Sequence, residues 1–128
     1  MGDLGDPAES AAPIAQALRQ YEVWWARLPE PIGRRPVMLL SRSSAYDYLT
    51  RVIIAEVTST VRAIPVEVPL GRREGLRRAC VVNLDNLHVI PMARLEARIG
   101  TLSPGRAVEV KRALGYALDW AELKDLTG

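Results

Sequence analysis

Arg51-Val52-Ile53-Ile54-Ala55-Glu56-Val57-Thr58 is the stretch that decides the fold. Val52, Ile53, Ile54 and Val57 are β-branched aliphatics, which pack well on a pleated, half-buried surface. The run is bounded by a polar connector, Ser43 to Thr50, and by Thr60 to Pro65, so it reads as a strand entered and left by turns. Segments of the same kind flank it. Glu22 to Leu28 is rich in strand formers and stops at Pro29. Pro29 to Pro36 holds three prolines and a glycine in eight residues and reads as a loop. Val37 to Ser41 is a short apolar run with polar ends, a buried strand.

Downstream, Val66-Glu67-Val68 alternates like an edge strand ended by Pro69, and Gly71 to Arg78 is a charged loop turning at Gly75. Cys80 to Leu84 is a further strand, Asp85-Asn86 a turn-prone pair, and Leu87 to Ile90 resumes strand character. Pro91 to Leu95 suits a helical turn and Ala97 to Leu102 a last strand. Ser103-Pro104 then predicts a helix start, with a side-chain cap and proline at the first helical position. Ala107, Val110, Leu114, Ala117, Leu118 and Ala121 follow as one apolar stripe at helical spacing. The fold class expected is α+β and mainly β: a small antiparallel sheet curled on itself, closed by a C-terminal helix. Residues 1–18 are expected to form a flexible or partly helical extension, and 19–128 a single domain.

At 128 residues and 48% hydrophobic content, the chain can bury one sizeable core but hardly two. Unbroken apolar runs reach only four residues, as in Val37 to Leu40, far below the roughly 20 of a membrane helix. The first 18 residues carry three acids and no Lys or Arg, unlike a secretory signal. One cysteine allows no internal disulfide, and one His with one Cys makes the usual zinc ligand set unavailable. A cytoplasmic protein without metal, cofactor or membrane contact is expected.

The net charge of +2 conceals an asymmetry. Arg19 to Arg112 holds 16 of the 17 basic residues against 9 acids, or +7, while both ends are acidic. Fifteen of the bases are Arg, whose planar fork suits phosphate and stacks on bases. A polyanionic partner fits such a centre, although a solvated basic surface fits the same numbers.

Common catalytic signatures are missing: there is no phosphate-binding glycine loop and no nucleophile elbow. Cys80 lies in an apolar strand pattern and reads as an inert thiol. His88, the only imidazole, is as compatible with a structural role as with catalysis. What remains is a set of polar groups at strand ends: Arg34 and Arg35 before one strand, Thr58, Ser59 and Thr60 after another, Asp85 and Asn86 after a third. Each also has an ordinary explanation as a turn or rim residue.

Several segments together resemble one known family. They are Glu22-Val23-Trp24-Trp25, Gly33-Arg34-Arg35-Pro36-Val37-Met38-Leu39-Leu40-Ser41, Val52 to Thr60, Val81 to Leu87, and Ile99-Gly100-Thr101-Leu102-Ser103. Their order and spacing resemble the MazF/PemK toxins over about Gln20 to Leu118. The resemblance implies a sequence-selective endoribonuclease, the toxin of a bacterial type II toxin–antitoxin pair, acting as a homodimer on a small curled barrel. It implies that Arg35 and Thr58 are catalytic, and that the RNA 2′-hydroxyl is the nucleophile, with no metal needed. The products would be a 2′,3′-cyclic phosphate and a 5′-hydroxyl, and DNA would not be cut. Glu30 and His88 are the candidate general bases, the resemblance favouring Glu30. Asn86 and its neighbour Asp85 are expected to read bases, and Arg34, Ser59, Thr60 and His88 to contact single-stranded RNA. An acidic antitoxin segment is expected to compete for the RNA groove.

Two departures from the family pattern stand out. The slot before Glu22, commonly glycine, is Tyr21, and the first loop is interrupted by Pro29 and Pro31. A homodimer also has a reading from the residues: Val23 and Trp25 alternate with Trp24, Ala26 and Leu28, leaving apolar side chains on both faces of one strand. The alternative function is a non-catalytic toxin on the same fold that binds and poisons DNA gyrase, of the CcdB kind. An inactive regulatory relative is a third.

Overall fold

The computed structural model describes residues 18–127. Six antiparallel strands form one sheet: β1 (Glu22–Arg27), β2 (Arg34–Leu39), β3 (Arg51–Thr58), β4 (Glu67–Leu70), β5 (Cys80–Pro91) and β6 (Leu95–Thr101), in the order β4-β5-β3-β2-β1-β6. Two helices follow, α1 (Ala107–Leu118) and the short α2 (Ala121–Lys124). Val52, Ile54 and Val57 of the deciding stretch are buried, and β3 sits centrally, pairing with both β2 and β5.

The sheet is curled but its edges, β4 and β6, do not pair with each other. The loop after β4 bridges them. Gly75 has φ +92°, and a Cβ on it would collide with the Ile99 carbonyl of β6; one on Gly100 would collide with the Glu74 carbonyl. Only glycine permits this approach.

Each face of the sheet carries its own core. On one, Val23, Met38, Val57 and Val82 meet Val110 and Ala113 of α1. On the other, Trp24, Leu28, Leu39 and Ile54 pack with Tyr46 and Leu18. Leu18, assigned with the extension, is thus buried in the domain; residues 1–17 lie outside the described residues.

Several local expectations change. β5 is one strand of 12 residues, not two joined by a turn. Ala55 pairs with Leu87 but Glu56 with Asn83, so Leu84, Asp85 and Asn86 form a bulge. The Asn83 side chain accepts the Asp85 backbone N–H at 2.8 Å and supports it. β4 runs through Pro69, which an edge strand tolerates. Ser103 makes no side-chain cap; the Arg106 N–H bonds its backbone carbonyl, and a 3₁₀ turn, Pro104–Arg106, leads into α1. The apolar stripe of α1 is Val110, Ala113, Leu114 and Ala117. Leu118 is exposed, because the chain turns left-handed at Asp119 (φ 51°) and α2 folds back over Gly115.

The apolar residues of β1 do not leave a face open. Val23 enters one core, Trp24, Ala26 and Leu28 the other, and Arg34 covers Trp25. The uncovered apolar face lies elsewhere: Ile53, Leu87 and Val89 are exposed, with Ile53 opposite Val89 and Leu87 opposite Ala55. Tyr21, in the slot where glycine is common in the family, has φ 71°, the left-handed region glycine favours. Two backbone bonds hold it, its N–H to Leu39 and its carbonyl to the Leu102 N–H.

Candidate active site

Val37 lies opposite Glu56, so Arg35 and Thr58, each two residues further along, share the same sheet face at the open end of β2 and β3. They line a cleft of about 420 Å³ together with Thr60, Arg62, Ile64, Glu67, Asn83, Asp85 and Asn86. Its far wall is made by the β5 bulge, which pushes Asp85 and Asn86 outward, where both are exposed. The Thr58 hydroxyl oxygen accepts the Thr60 N–H at 3.1 Å. Glu67 accepts the backbone N–H groups of Arg62 and Ala63 at 3.0 and 2.8 Å, which ties down the loop carrying Arg62.

The electrostatic centre is Glu56, a buried carboxylate on β3. Arg35 Nη1 donates to its Oε1 at 3.0 Å, and His88 Nε2 lies 2.5 Å from its Oε2. Among the described residues only Nη1 of the Arg35 fork has a side-chain partner, which leaves its other guanidinium N–H groups for a ligand. This leaves an exposed-edge cation whose aim is fixed from behind.

The expected site residues divide. Arg35, Thr58, Thr60, Asp85 and Asn86 come together in the cleft; His88 is not part of its lining but is tied to Arg35 through Glu56. Arg34 and Ser59 do not: strand alternation turns them to the other face, beside Trp25, Leu76, Arg77 and Arg78 in a second cleft of about 580 Å³. There Arg34 stacks on Trp25 at 4.1 Å and donates to Glu96 at 2.8 Å. Glu30 is exposed in the β1–β2 loop beside Gly33, outside the residues lining the first cleft. Sequence reasoning missed Glu56, Arg62, Glu67 and Asn83. Glu56 had a signal: a carboxylate inside the most apolar strand, two residues before Thr58 and on its face.

Residues 19–118 match the family model described as the PemK-like, MazF-like toxin of type II toxin–antitoxin systems. The chain belongs to this family. Probable endoribonuclease MazF5 of Mycobacterium tuberculosis is 39% identical over 99 residues, covering 77% of this chain and 90% of the relative. Endoribonuclease MazF3 of the same species is 39% identical over 88 residues, 67% of this chain and 85% of the relative. The solved Mycobacterium tuberculosis toxin MazF-mt6 superposes with a TM-score of 0.72 at 35% identity, covering 77% of this chain and 96% of that one. With curated MazF relatives carrying the name endoribonuclease, the gyrase-binding alternative is not favoured. Among the described residues, no helix is long and apolar enough to cross a membrane.

Proposed function

We propose that the first cleft cuts single-stranded RNA at a phosphodiester, using the RNA's own 2′-hydroxyl. The chain is an endoribonuclease, as its named relatives are, and the toxin of a type II pair. The observation that carries this reading is the joint placement of Arg35 and Thr58 on one face beside an outward bulge bearing Asn86. In the reaction the 2′-oxygen loses its proton and bonds to phosphorus. The bond to the 5′-oxygen breaks, and that oxygen takes up a proton. Arg35 balances the charge that builds on the phosphate oxygens, and Thr58 hydrogen-bonds one of them. Asn86 and Asp85 offer donor and acceptor groups to a base edge, with Thr60 alongside. Glu30 and His88 compete for the role of base.

Catalysis by an internal nucleophile needs no metal. Purified protein incubated with mixed RNA should cleave equally with and without EDTA and leave 2′,3′-cyclic phosphate and 5′-hydroxyl ends. A strict need for magnesium would remove the mechanism. The protein acts in the cytoplasm as a homodimer, the exposed Ile53, Leu87 and Val89 stripe being the apolar face that a second copy would cover. An acidic segment of the antitoxin competes with RNA, since its carboxylates suit the arginines that otherwise meet phosphates.

A further inference from the structure

Glu56 lies within the sheet rather than at its rim, its side chain only 11% exposed, with a β2 guanidinium on one oxygen and a β5 imidazole on the other. Taking a carboxylate out of water is costly before its partners offset it, and an apolar set of similar volume commonly serves stability as well. Nor is a side-chain tie needed here, because backbone ladders already join β2, β3 and β5. The arrangement is better explained by what it does to its two partners, both of which are candidates for the reaction. We propose that Glu56 is the positioning residue of RNA cleavage: it fixes the aim of Arg35 and holds His88 in the tautomer whose Nδ1 takes the 2′-hydroxyl proton.

The tautomer follows from the hydrogen bond. An ionised carboxylate only accepts, so the Nε2 facing Glu56 Oε2 carries the hydrogen. A neutral imidazole has one such hydrogen, which leaves Nδ1 with a free lone pair. Among the described residues no group hydrogen-bonds Nδ1. His88 follows Asn86 by two residues and sits on the regular ladder opposite Ile54, just past the bulge that carries the reader. When the 2′-hydroxyl proton moves to Nδ1, the 2′-oxygen bonds to phosphorus and the phosphorus–O5′ bond breaks. The electron pair stays on O5′, which is then protonated by the imidazolium. The imidazolium is stabilised meanwhile by the carboxylate at Nε2, the arrangement that a buried carboxylate gives a catalytic His elsewhere. The charged group in contact with this centre is Arg35 from β2, and the adjoining cleft is lined by Asp85 from the bulge, Glu67 from β4 and Arg62 from the loop before it.

The proposal rests on the endoribonuclease reading, and its test separates the two. An RNA oligonucleotide carrying a mapped cut site is cleaved in single turnover between about pH 5 and 8, the range in which an imidazole ordinarily titrates. Binding is measured with the same oligonucleotide made 2′-deoxy at the scissile position. Glu56→Gln presents an amide that can donate to Nε2, which moves the ring hydrogen to Nδ1. Its rate should fall about 10²–10³-fold with binding of the deoxy oligonucleotide retained. His88→Gln should lose a similar factor and also the decline in rate toward low pH, since the group whose protonation stops the reaction is gone. The double variant should be no slower than the slower single, because the two act as one unit. Thermal unfolding accompanies each variant. If Glu56→Gln does not fold, the half-exposed His88→Gln carries the decision by its pH profile and retained binding. A folded Glu56→Gln at wild-type rate, an unchanged pH profile in His88→Gln, or multiplying losses in the double variant would each overturn the proposal. Wild-type protein that cuts no RNA would instead remove the endoribonuclease reading itself.

Discussion

Arg34 and Arg35 are neighbours on β2, yet each faces a different world. Arg35 turns toward a buried carboxylate and lines the first cleft. Arg34 turns the opposite way, sits over the Trp25 ring and meets Glu96, an exposed partner. The same guanidinium chemistry is therefore put to two uses. On one face a low-dielectric partner fixes the cation and leaves donors pointing outward. On the other, the cation covers an indole that would otherwise be bare, and its ion pair is screened by water. Thr58, the last residue of β3, and Ser59 just past it repeat the division, with Thr58 in the first cleft and Ser59 in the second.

The largest effect expected from this division is on chemistry. Arg35→Ala should lower single-turnover cleavage about 10²–10³-fold, the usual loss for one transition-state donor. Arg35→Lys should recover little of it, because one ammonium cannot hold Glu56 and span phosphate oxygens as a fork does. Arg34→Ala, assayed beside them, should keep most of the cleavage rate and weaken RNA binding at most modestly. Equal losses in Arg34→Ala and Arg35→Ala would mean that the two faces do not differ in function.

The same alternation explains what was legible in the sequence. Strand positions were readable because Val, Ile and Trp runs are punctuated by Pro, Gly and Ser, and those signals are local. The pairing of Arg35 with Thr58 came from family resemblance. Geometry alone would have separated Arg35 from Arg34 and Thr58 from Ser59, since successive strand residues face opposite ways. Other features were not local. Asp85-Asn86 carries a turn signal, but β3 pairs with β5 on both sides of it and turns the signal into a bulge. Glu56 gains its meaning only from Arg35, 21 residues before it, and His88, 32 residues after it. No window along the chain contains all three.

A smaller effect should distinguish the two hydroxyls. Thr58→Ala should slow cleavage by about 10–10²-fold, below the loss for the Arg35 cation, since a neutral donor stabilises developing charge less than a charged one does. Ser59→Ala, one residue on, should cleave at the wild-type rate. The Thr60 N–H that Thr58 accepts is exposed and can turn to water, so neither change should lower the unfolding temperature much. A Ser59→Ala variant as slow as Thr58→Ala would show that RNA reaches the second cleft as well.

The smallest effect concerns stability and pH on the Arg34 face. Hydrogen bonding from Arg34, with the charges of Arg27 and Arg34 beside it, holds the Glu96 carboxyl below its ordinary pKa. A carboxyl whose pKa is lowered by folding adds stability above its unfolded value and loses that contribution as pH falls through the folded one. Arg34→Ala removes the leading cause of the shift and also uncovers Trp25. Near neutral pH it should cost about 1 kcal/mol, combining an exposed ion pair with a surface cation–π contact. As pH falls below the ordinary carboxylate range, the ion-pair share should vanish while the Trp25 share remains, because Arg stays charged throughout. The gap in unfolding temperature between wild type and Arg34→Ala should therefore narrow between about pH 5 and pH 3 without closing, around the titration range of a carboxylate. High salt at pH 7 should narrow it for the same reason. A gap that is indifferent to both acid and salt would show that Arg34 stabilises this face by covering the indole alone.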